Sequence, residues 1–293
     1  MDSLLLNIGN GKIYKMTFSK TMKSDNLFTT VIYANIFVFV IINLVHVTNF
    51  LLEKEDNIIY YLGVSSNLEI LSKRPWTLIS YMFTHADLFH LLINLFCLYF
   101  GGKIFIQYLS QKQLFSTYLM GGIIGGVMYI IAFNLFPVFY SLKVNSLAIG
   151  ASASVLAIVF AIATYVPNYS ISLMLFGSIK LKHIAIGVLI IDILSIPQGN
   201  AGTHIAHIGG ALYGYVYIVL YKRNFNSNYL VENIIELISY SPKYIHKKKE
   251  NDYEYNARKR KEEMEIDKIL EKISRSGYDS LSKQEKDILF KNR

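Results

Sequence analysis

Long apolar runs constrain this chain more than any other feature of its sequence. An apolar segment of roughly 20 residues can cross the hydrocarbon core of a bilayer as one helix, and several such segments lie between residues 31 and 221. The composition agrees, because only 17% of the 293 residues are charged and 53% are hydrophobic. An ordinary soluble domain has about 25% charged residues. We therefore expect an all-α membrane protein.

The apolar runs predict a bundle of six transmembrane helices. Their approximate bounds are 31–52, 88–108, 115–136, 150–166, 181–196 and 204–221. The first run is long, lies far from Met1 and is followed by acidic residues. A cleavable signal peptide would end in small residues instead, so we expect none.

The distribution of positive charge predicts the orientation of the bundle, because cytoplasmic loops carry an excess of Lys and Arg. The N-terminal segment, alternate loops and the tail are the lysine-rich segments: Lys12, Lys15, Lys20, Lys23, Lys103, Lys112, Lys180, Lys182 and the basic chain from Lys222. The opposite loops carry fewer cations and five acidic residues: Glu53, Glu55, Asp56, Glu69 and Asp87. Both termini are therefore predicted to be cytoplasmic.

Four polar residues fall at one predicted depth in the membrane. In this topology the second, fourth and sixth helices all begin on the outer side. His90 and Asn94 lie near the start of the second helix, Ser152 near the start of the fourth and His207 near the start of the sixth. Polar side chains within a membrane are costly and are functional candidates by default. Their common depth predicts a single site.

The types of these residues fit acyl transfer. A Ser and a His that can meet are the minimum parts of a nucleophile and its general base, which would be Ser152 and His207. A helix start offers free backbone N–H groups that favour negative charge. His90 and Asn94 are spaced i, i+4 and share one helix face, so they could donate further hydrogen bonds to an oxyanion.

Small residues flank the candidate nucleophile and base. Gly150, Ala151 and Ala153 surround the serine, and Gly210 and Gly214 follow the histidine at a four-residue spacing. Small faces let two membrane helices approach closely. A direct hydrogen bond between Ser152 and His207 would require such an approach.

These residues make the chain resemble the rhomboid family of intramembrane serine proteases over about residues 31–221. The motifs occur in the family's order: His85-Ala-Asp-Leu-Phe-His90-Leu-Leu-Ile-Asn94, Gly150-Ala151-Ser152-Ala153 and His207-Ile-Gly-Gly210-Ala-Leu-Tyr-Gly214. The resemblance implies a Ser152–His207 dyad without a third acid, with His90 and Asn94 as oxyanion donors. It also implies that loop 53–87 is half-submerged and that the fifth helix is a lateral gate. The family usually has Gly at the position of Ala153.

Other polar residues leave alternatives open. His204 lies nearly one turn before His207 and is the alternative base. Ser154 is expected to pack against another helix, and His85 to be a loop or water-facing residue. Asp192 is expected to pair with a polar group or to face water. No Cys and His spacing typical of zinc occurs, so we predict neither a metal site nor a cofactor.

Beyond the membrane domain the chain is polar and basic. We divide it into a cytoplasmic N-terminal segment (1–30), the membrane domain (31–221), a basic linker that could include an amphipathic helix (222–263) and a short helical module (264–293). In the module we expect one helix to end near Gly277 and a second to begin at a capping box, Ser282-Lys-Gln-Glu285. The linker's basic clusters, 247–249 and 258–261, should attract anionic lipid.

The sequence as a whole predicts an intramembrane serine endopeptidase that cleaves in or near transmembrane segments of membrane protein substrates. The tail resembles a module appended to some bacterial rhomboids, which implies a bacterial inner membrane. The expected partners are transmembrane substrates and the lipid bilayer, not nucleic acid, and the partner of the tail is not readable. The alternative is a non-catalytic rhomboid-like protein that binds and escorts membrane helices.

Overall fold

The structure is a computed structural model that describes residues 5–8, 12–15, 27–143, 146–173, 177–238, 266, 268–282 and 285–286. The chain divides into two compact units, Met1–Ile238 and Ser239–Arg293. The first unit contains all the residues of the candidate site.

The first unit is mainly α-helical, and its long helices lie in the six segments that we predicted to span the membrane. In chain order the helices are α1 (Leu27–Leu51), α2 (Ile58–Leu62), α3 (Leu68–Lys73), α4 (Thr77–Ser80), α5 (Leu88–Tyr108), α6 (Gln111–Leu135), α7 (Ser152–Tyr165), α8 (Leu181–Ser195), α9 (Ala201–Tyr221) and α10 (Tyr229–Ile238). Helices α1, α5, α6, α7, α8 and α9 correspond to the predicted spans.

Four of these helices are long and apolar enough to cross a membrane. They are α1, α5, α6 and α8, the last together with a 3-10 turn that extends it to Gln198. Helix α7 is apolar but has only 14 residues, which is shorter than a usual span. The helical membrane fold is confirmed at this level, and the number of six spans stays a prediction.

Short antiparallel strand pairs connect parts of the first unit. Strand β1 (Leu5–Ile8) pairs with β2 (Lys12–Lys15), β3 (Val64–Ser65) with β4 (Leu147–Ala148), and β5 (Ser170–Leu173) with β6 (Gly177–Lys180). The β5–β6 hairpin joins α7 to α8. The β3–β4 pair is the important one for the site, because it connects loop 53–87 to the backbone just before α7.

Loop 53–87 is itself folded rather than extended. It contains α2, α3 and α4, and the guanidinium of Arg74 stacks on the rings of Tyr60 and Tyr61 at 4.0 and 4.2 Å. The indole Nε1–H of Trp76 donates to the carbonyl of Tyr61 at 3.0 Å. These contacts give the loop a defined shape, which a loop that positions a site requires.

Glycines on α6 allow α6, α7 and α9 to pack at backbone distance. A Cβ on Gly121 would lie 2.2 Å from the Cβ of Ala157, and a Cβ on Gly125 would lie 2.7 Å from both the Cβ of Ala153 and the carbonyl oxygen of Ala206. No side chain larger than hydrogen fits at these distances. Gly125 also explains how α7 accommodates the methyl group of Ala153.

Helix α10 packs on α6 and is amphipathic. Before it begins, the fully buried Asn228 donates through Nδ2 to Thr117 Oγ1 at 3.1 Å and accepts from the hydroxyl of Tyr213. On its outer face Leu230 and Leu237 are more than 70% exposed. The predicted linker region 222–263 therefore contains a helix near its start, and the division into domains stays a prediction.

The second unit contains the expected helix end and capping box. Residues 268–276 are helical, and Gly277 follows with φ of +79°. The N–H of Ser282 donates to Glu285 Oε2 at 2.7 Å, and the N–H of Glu285 donates to Ser282 Oγ at 3.3 Å, so the capping box is confirmed. The ammonium group of Lys272 is the main reason why the pKa of Glu285 falls to about 2. The predicted basic clusters lie outside the described residues: 247–249 and 258–261.

Candidate active site

Hydrogen bonds from loop 53–87 hold the backbone that leads into α7. After the β3–β4 pair, the N–H of Gly150 donates to the carbonyl of Tyr81 at 2.9 Å. The N–H of Ala151 donates to His85 Nε2 at 3.4 Å, a long hydrogen bond. The position of Ser152 is therefore set by the loop as well as by its own helix.

Gly150 has a backbone conformation and a neighbour that both require glycine. Its φ is +113°, a value that side-chain-bearing residues rarely adopt. A Cβ there would lie 2.7 Å from Cε1 of His90 and 3.8 Å from Oγ of Ser152. The ring of His90 consequently lies against the backbone just before the serine, and α5 and α7 meet at this point.

Ser152 is the first residue of α7 and is partly exposed. The N–H groups of residues 152–154 donate to no acceptor among the described residues, as expected for the first turn of a helix. By contrast, Ser154 is fully buried and its Oγ lies 3.7 Å from Sδ of Met82. The expectation that Ser154 is a packing residue is confirmed.

Helices α7 and α9 are in contact at their backbones. A Cβ on Gly210 would lie 2.1 Å from the carbonyl oxygen of Ala153, and a Cβ on Gly214 would lie 2.1 Å from that of Ala157. The two residue numbers differ by the same amount in both pairs. The helices α7 and α9 therefore run in the same direction and in register. The predicted close approach through Gly210 and Gly214 is present.

This register distinguishes the two candidate bases. Because Gly210 lies level with Ala153, Ser152 lies level with Gly209. At a rise of about 1.5 Å per residue, His207 lies about 3 Å from that level along the axis and His204 about 7.5 Å. His207 also shares the helix face of Gly210 and Gly214, because residues i, i+3 and i+7 lie on one side. The geometry therefore favours His207.

A carboxylate that the sequence did not assign to the site contacts both histidines. Asp192 of α8 is buried, and its Oδ1 lies 2.8 Å from Nδ1 of His207 and 2.8 Å from Nδ1 of His204. Pairing of Asp192 with a polar group was one of two expectations. The sequence offered no obvious third acid beside the dyad, whereas the structure places the carboxylate of Asp192 in contact with His207.

The contact with Asp192 fixes how His207 can act. A carboxylate only accepts hydrogen bonds, so Nδ1 of His207 donates to Asp192, and in the neutral tautomer that this contact selects Nε2 has the free lone pair. That Nε2 is buried and has no hydrogen-bond partner within the described part of the chain. The nitrogen that a general base uses is therefore available, and it is not hydrogen-bonded to Ser152 in this structure.

The predicted oxyanion donors lie on α5. Asp87 accepts a hydrogen bond from the N–H of His90 and caps the helix at 2.7 Å. The amide Nδ2 of Asn94 is buried and donates to the carbonyl of His90 at 3.0 Å. One of its two N–H groups is thus engaged within the helix, which leaves the second for another acceptor.

His85 lies in a loop beside the candidate site, as one of two expectations had it, but the expectation that it faces water was wrong. It is fully buried, and its ring packs edge-on against that of His90 at 5.1 Å. Nδ1 lies 3.3 Å from the carbonyl of Phe83, while Nε2 accepts from Ala151. Burial, followed by the proximity of His90, lowers the pKa of His85 to about 4, so the ring is neutral near pH 7. Its place at the start of the His85–Asn94 motif was the available signal.

Comparison with known families decides the classification of this membrane domain. The family described as "Rhomboid domain" matches residues 72–224, more than half of the chain. The chain belongs to the rhomboid family. A second family, described as a "Family of unknown function (DUF6576)", matches residues 249–292.

Similar rhomboid proteins come from animals and plants. The chain is 32% identical over 183 residues to Rhomboid-related protein 1 of Caenorhabditis elegans. This match covers 57% of this chain and 44% of the relative. It is 30% identical over 151 residues to RHOMBOID-like protein 12, mitochondrial, of Arabidopsis thaliana, with 48% and 44% covered. It is 27% identical over 142 residues to Presenilin-associated rhomboid-like protein A, mitochondrial, of Danio rerio, with 46% and 35% covered. The matches span less than half the length of these relatives.

Proposed function

We propose that this rhomboid is an intramembrane serine endopeptidase with Ser152 as the nucleophile and His207 as the general base. The observation that carries the proposal is the Asp192–His207 contact, together with the buried Nε2 of His207, which has no hydrogen-bond partner among the described residues. A carboxylate on one ring nitrogen and a free lone pair on the other are what a histidine base needs. Family membership supports proteolysis as the reaction.

The residues would act in the usual order of acyl transfer. Oγ of Ser152 attacks the carbonyl carbon of a substrate peptide bond and gives its proton to Nε2 of His207, while Asp192 stabilises the imidazolium. The oxyanion accepts hydrogen bonds from the amides at the start of α7 and from His90 and Asn94. His207 then protonates the leaving amine. Water then attacks the acyl-serine and gives a proton to His207. The bond between the acyl carbon and Oγ breaks, the acid product leaves, and His207 returns the proton to Oγ of Ser152.

The same proposal includes the membrane arrangement. Six spans with both termini cytoplasmic would place the start of α7 near the outer surface, where water can reach the acyl-serine. Transmembrane proteins are the proposed substrates, because the site lies between apolar helices of a membrane domain. The bacterial inner membrane stays our proposed location, although two of the relatives named above are described as mitochondrial.

Labelling with a fluorophosphonate, which reacts covalently with activated serines, tests this function. We expect the purified wild-type protein in detergent to be labelled and Ser152→Ala to be unlabelled. Ser154→Ala is the matched control, because it removes a hydroxyl two residues away that packs against Met82, and it should remain labelled. Equal labelling of the wild type and of folded Ser152→Ala would contradict the proposal. No labelling of the folded wild type would favour the non-catalytic, helix-binding alternative.

A further inference from the structure

Three potential metal ligands converge beside the candidate base. One ligand atom from each of Asp192, His204 and His207 lies within 4.8 Å of the other two. Oδ1 of Asp192 lies 2.8 Å from Nδ1 of each histidine. The two rings are almost perpendicular, with centroids 5.9 Å apart. Their nitrogens therefore approach the carboxylate from different directions, as ligands around an ion do.

The electrostatic balance of this cluster favours a cation. Asp192 carries a negative charge, and neither α8 after Lys182 nor α9 contains a Lys or Arg. Hydrogen bonds from the two histidines satisfy the acceptor capacity of Asp192, and a bound cation would also balance its charge. The side chains are 8%, 22% and 17% exposed for Asp192, His204 and His207, so the cluster is largely buried yet open to a small ion.

The dimensions of the cluster suit a late transition metal. Zinc binds histidine nitrogen and carboxylate oxygen at about 2.0–2.2 Å, which places neighbouring ligands of a tetrahedral site roughly 3.4 Å apart. The present 2.8 Å contacts would have to widen by about half an ångström on this basis. Two imidazoles and one carboxylate favour Zn²⁺ or its neighbours over Mg²⁺ and Ca²⁺, which prefer oxygen ligands.

We propose that Asp192, His204 and His207 form an inhibitory site for a divalent late-transition metal ion of the Zn²⁺ class. The metal binding rests on the cluster alone, whereas the inhibition rests on the proposed function of His207. A solvent molecule would complete the four-coordinate site.

Inhibition follows from the nitrogen that the ion would occupy. Coordination requires a lone pair on Nδ1 of His207, so the proton of the neutral ring moves from Nδ1 to Nε2 through solvent. Nε2 then carries a hydrogen and cannot accept the proton of Ser152. The number of protons on the ring is unchanged, and the ion converts the base into a donor while Asp192 becomes a ligand.

Metal binding and inhibition are measured separately on the full chain in detergent. After treatment with a chelator and its removal, Zn²⁺ binding is followed by calorimetry, and Co²⁺ is used as a probe whose visible spectrum reports four-coordination. We expect one Zn²⁺ per chain and a Kd at least about 10-fold weaker in His204→Ala, since even loss of an outer-shell partner of a metal site costs about 10- to 100-fold. His183→Ala removes an exposed histidine from the other end of α8 and should bind like the wild type.

The rate of fluorophosphonate labelling with and without Zn²⁺ gives the second readout. Zn²⁺ should slow labelling of the wild type at least about 10-fold and slow His204→Ala less at the same concentration, because the latter lacks one of the three ligands. Mg²⁺ should have no effect. Unchanged Zn²⁺ affinity in His204→Ala would overturn the site. Zn²⁺ binding that requires His204 but leaves labelling of the wild type unaffected would keep the site and contradict His207 as the base.

Discussion

Asp192 gives His207 the tautomer that a general base needs. In Asp192→Asn an amide N–H can face Nδ1 of His207, which favours the tautomer with the proton on Nε2. We therefore expect kcat for peptide hydrolysis to fall by at least about 10²-fold, within the range seen when the orienting carboxylate of a serine protease is replaced. KM should change little, because the proposed role of Asp192 is to orient His207.

The control for this prediction is Asp56→Asn. Both variants and the wild type are measured in a buffer that contains a chelator. Asp56 also bonds to a histidine, His46, which lies near the C-terminal end of α1 and is not one of the two candidate bases. It should keep the wild-type kcat. A rise in KM without a fall in kcat for Asp192→Asn would assign that residue to substrate binding instead.

His85 is a second residue with a testable consequence. Its pKa is lowered from 6.5 to about 4, mainly by burial and then by the neighbouring His90, with Asp87 acting in the opposite direction. Between these values the unfolded chain binds a proton that the folded chain does not. The free energy of unfolding is therefore not reduced by His85 above about pH 6.5, and it decreases as the pH falls towards 4.

The measurement is the thermal unfolding midpoint of the wild type and of His85→Gln at pH 7 and pH 5. Glutamine stays neutral and can still accept from the N–H of Ala151. We expect the midpoint of the wild type to fall by several degrees more than that of the variant over this interval. Identical shifts in the two proteins would show that His85 does not carry the pH dependence.

At the scale of helices, the packing of α9 on α7 depends on Gly210. A methyl group there would lie 2.1 Å from a backbone carbonyl oxygen, and a backbone cannot rotate away as a side chain can. We expect Gly210→Ala to destabilise the protein by at least about 1–3 kcal/mol, the usual cost of overpacking, and to slow labelling of Ser152.

Gly187→Ala on α8 is the matched control for Gly210→Ala. Nothing lies within 4 Å of a Cβ at Gly187, and alanine has the higher intrinsic helix propensity by about 1 kcal/mol. Its unfolding midpoint should equal or exceed that of the wild type. A Gly210→Ala protein as stable as Gly187→Ala would mean that α7 and α9 are further apart than described.

The sequence predicted the helices of the site better than the contacts between them. Apolar runs located α5, α7 and α9, and the spacing of Gly210 and Gly214 predicted their close approach. The partner of Asp192 could not be predicted, because the turn between α8 and α9 decides which face of α8 meets His207. Likewise, the burial of His85 results from the folding of loop 53–87 and its β3–β4 pair, for which the sequence has no periodic signal.

At the scale of the whole molecule, we expect the membrane unit to work without the tail. The residues of the proposed site lie between His85 and Gly214, and the two compact units separate after Ile238. A chain that ends at Pro242 should keep the unfolding midpoint and labelling rate of the full chain in detergent. In vesicles with anionic lipid it should lose any lipid dependence due to the basic clusters, where each cation contributes about 1 kcal/mol of attraction.

A variant with Lys247, Lys248 and Lys249 replaced by Gln separates charge from the rest of the tail. This variant should also lose part of the lipid dependence, and its labelling in detergent should be unchanged. If the shortened chain unfolds at the wild-type temperature but is no longer labelled by the fluorophosphonate, the tail belongs to the catalytic unit and the division into domains is wrong.

The central claim is that His207 activates Ser152, and the most direct test is the rate and position of fluorophosphonate labelling in purified protein. Tandem mass spectrometry of the wild type should find the phosphonyl group on Ser152. The second-order rate constant should fall at least about 10²-fold in His207→Ala, the usual contribution of a general base, and by a smaller factor in His204→Ala. An adduct on a different residue, or a larger loss in His204→Ala than in His207→Ala, would contradict the account.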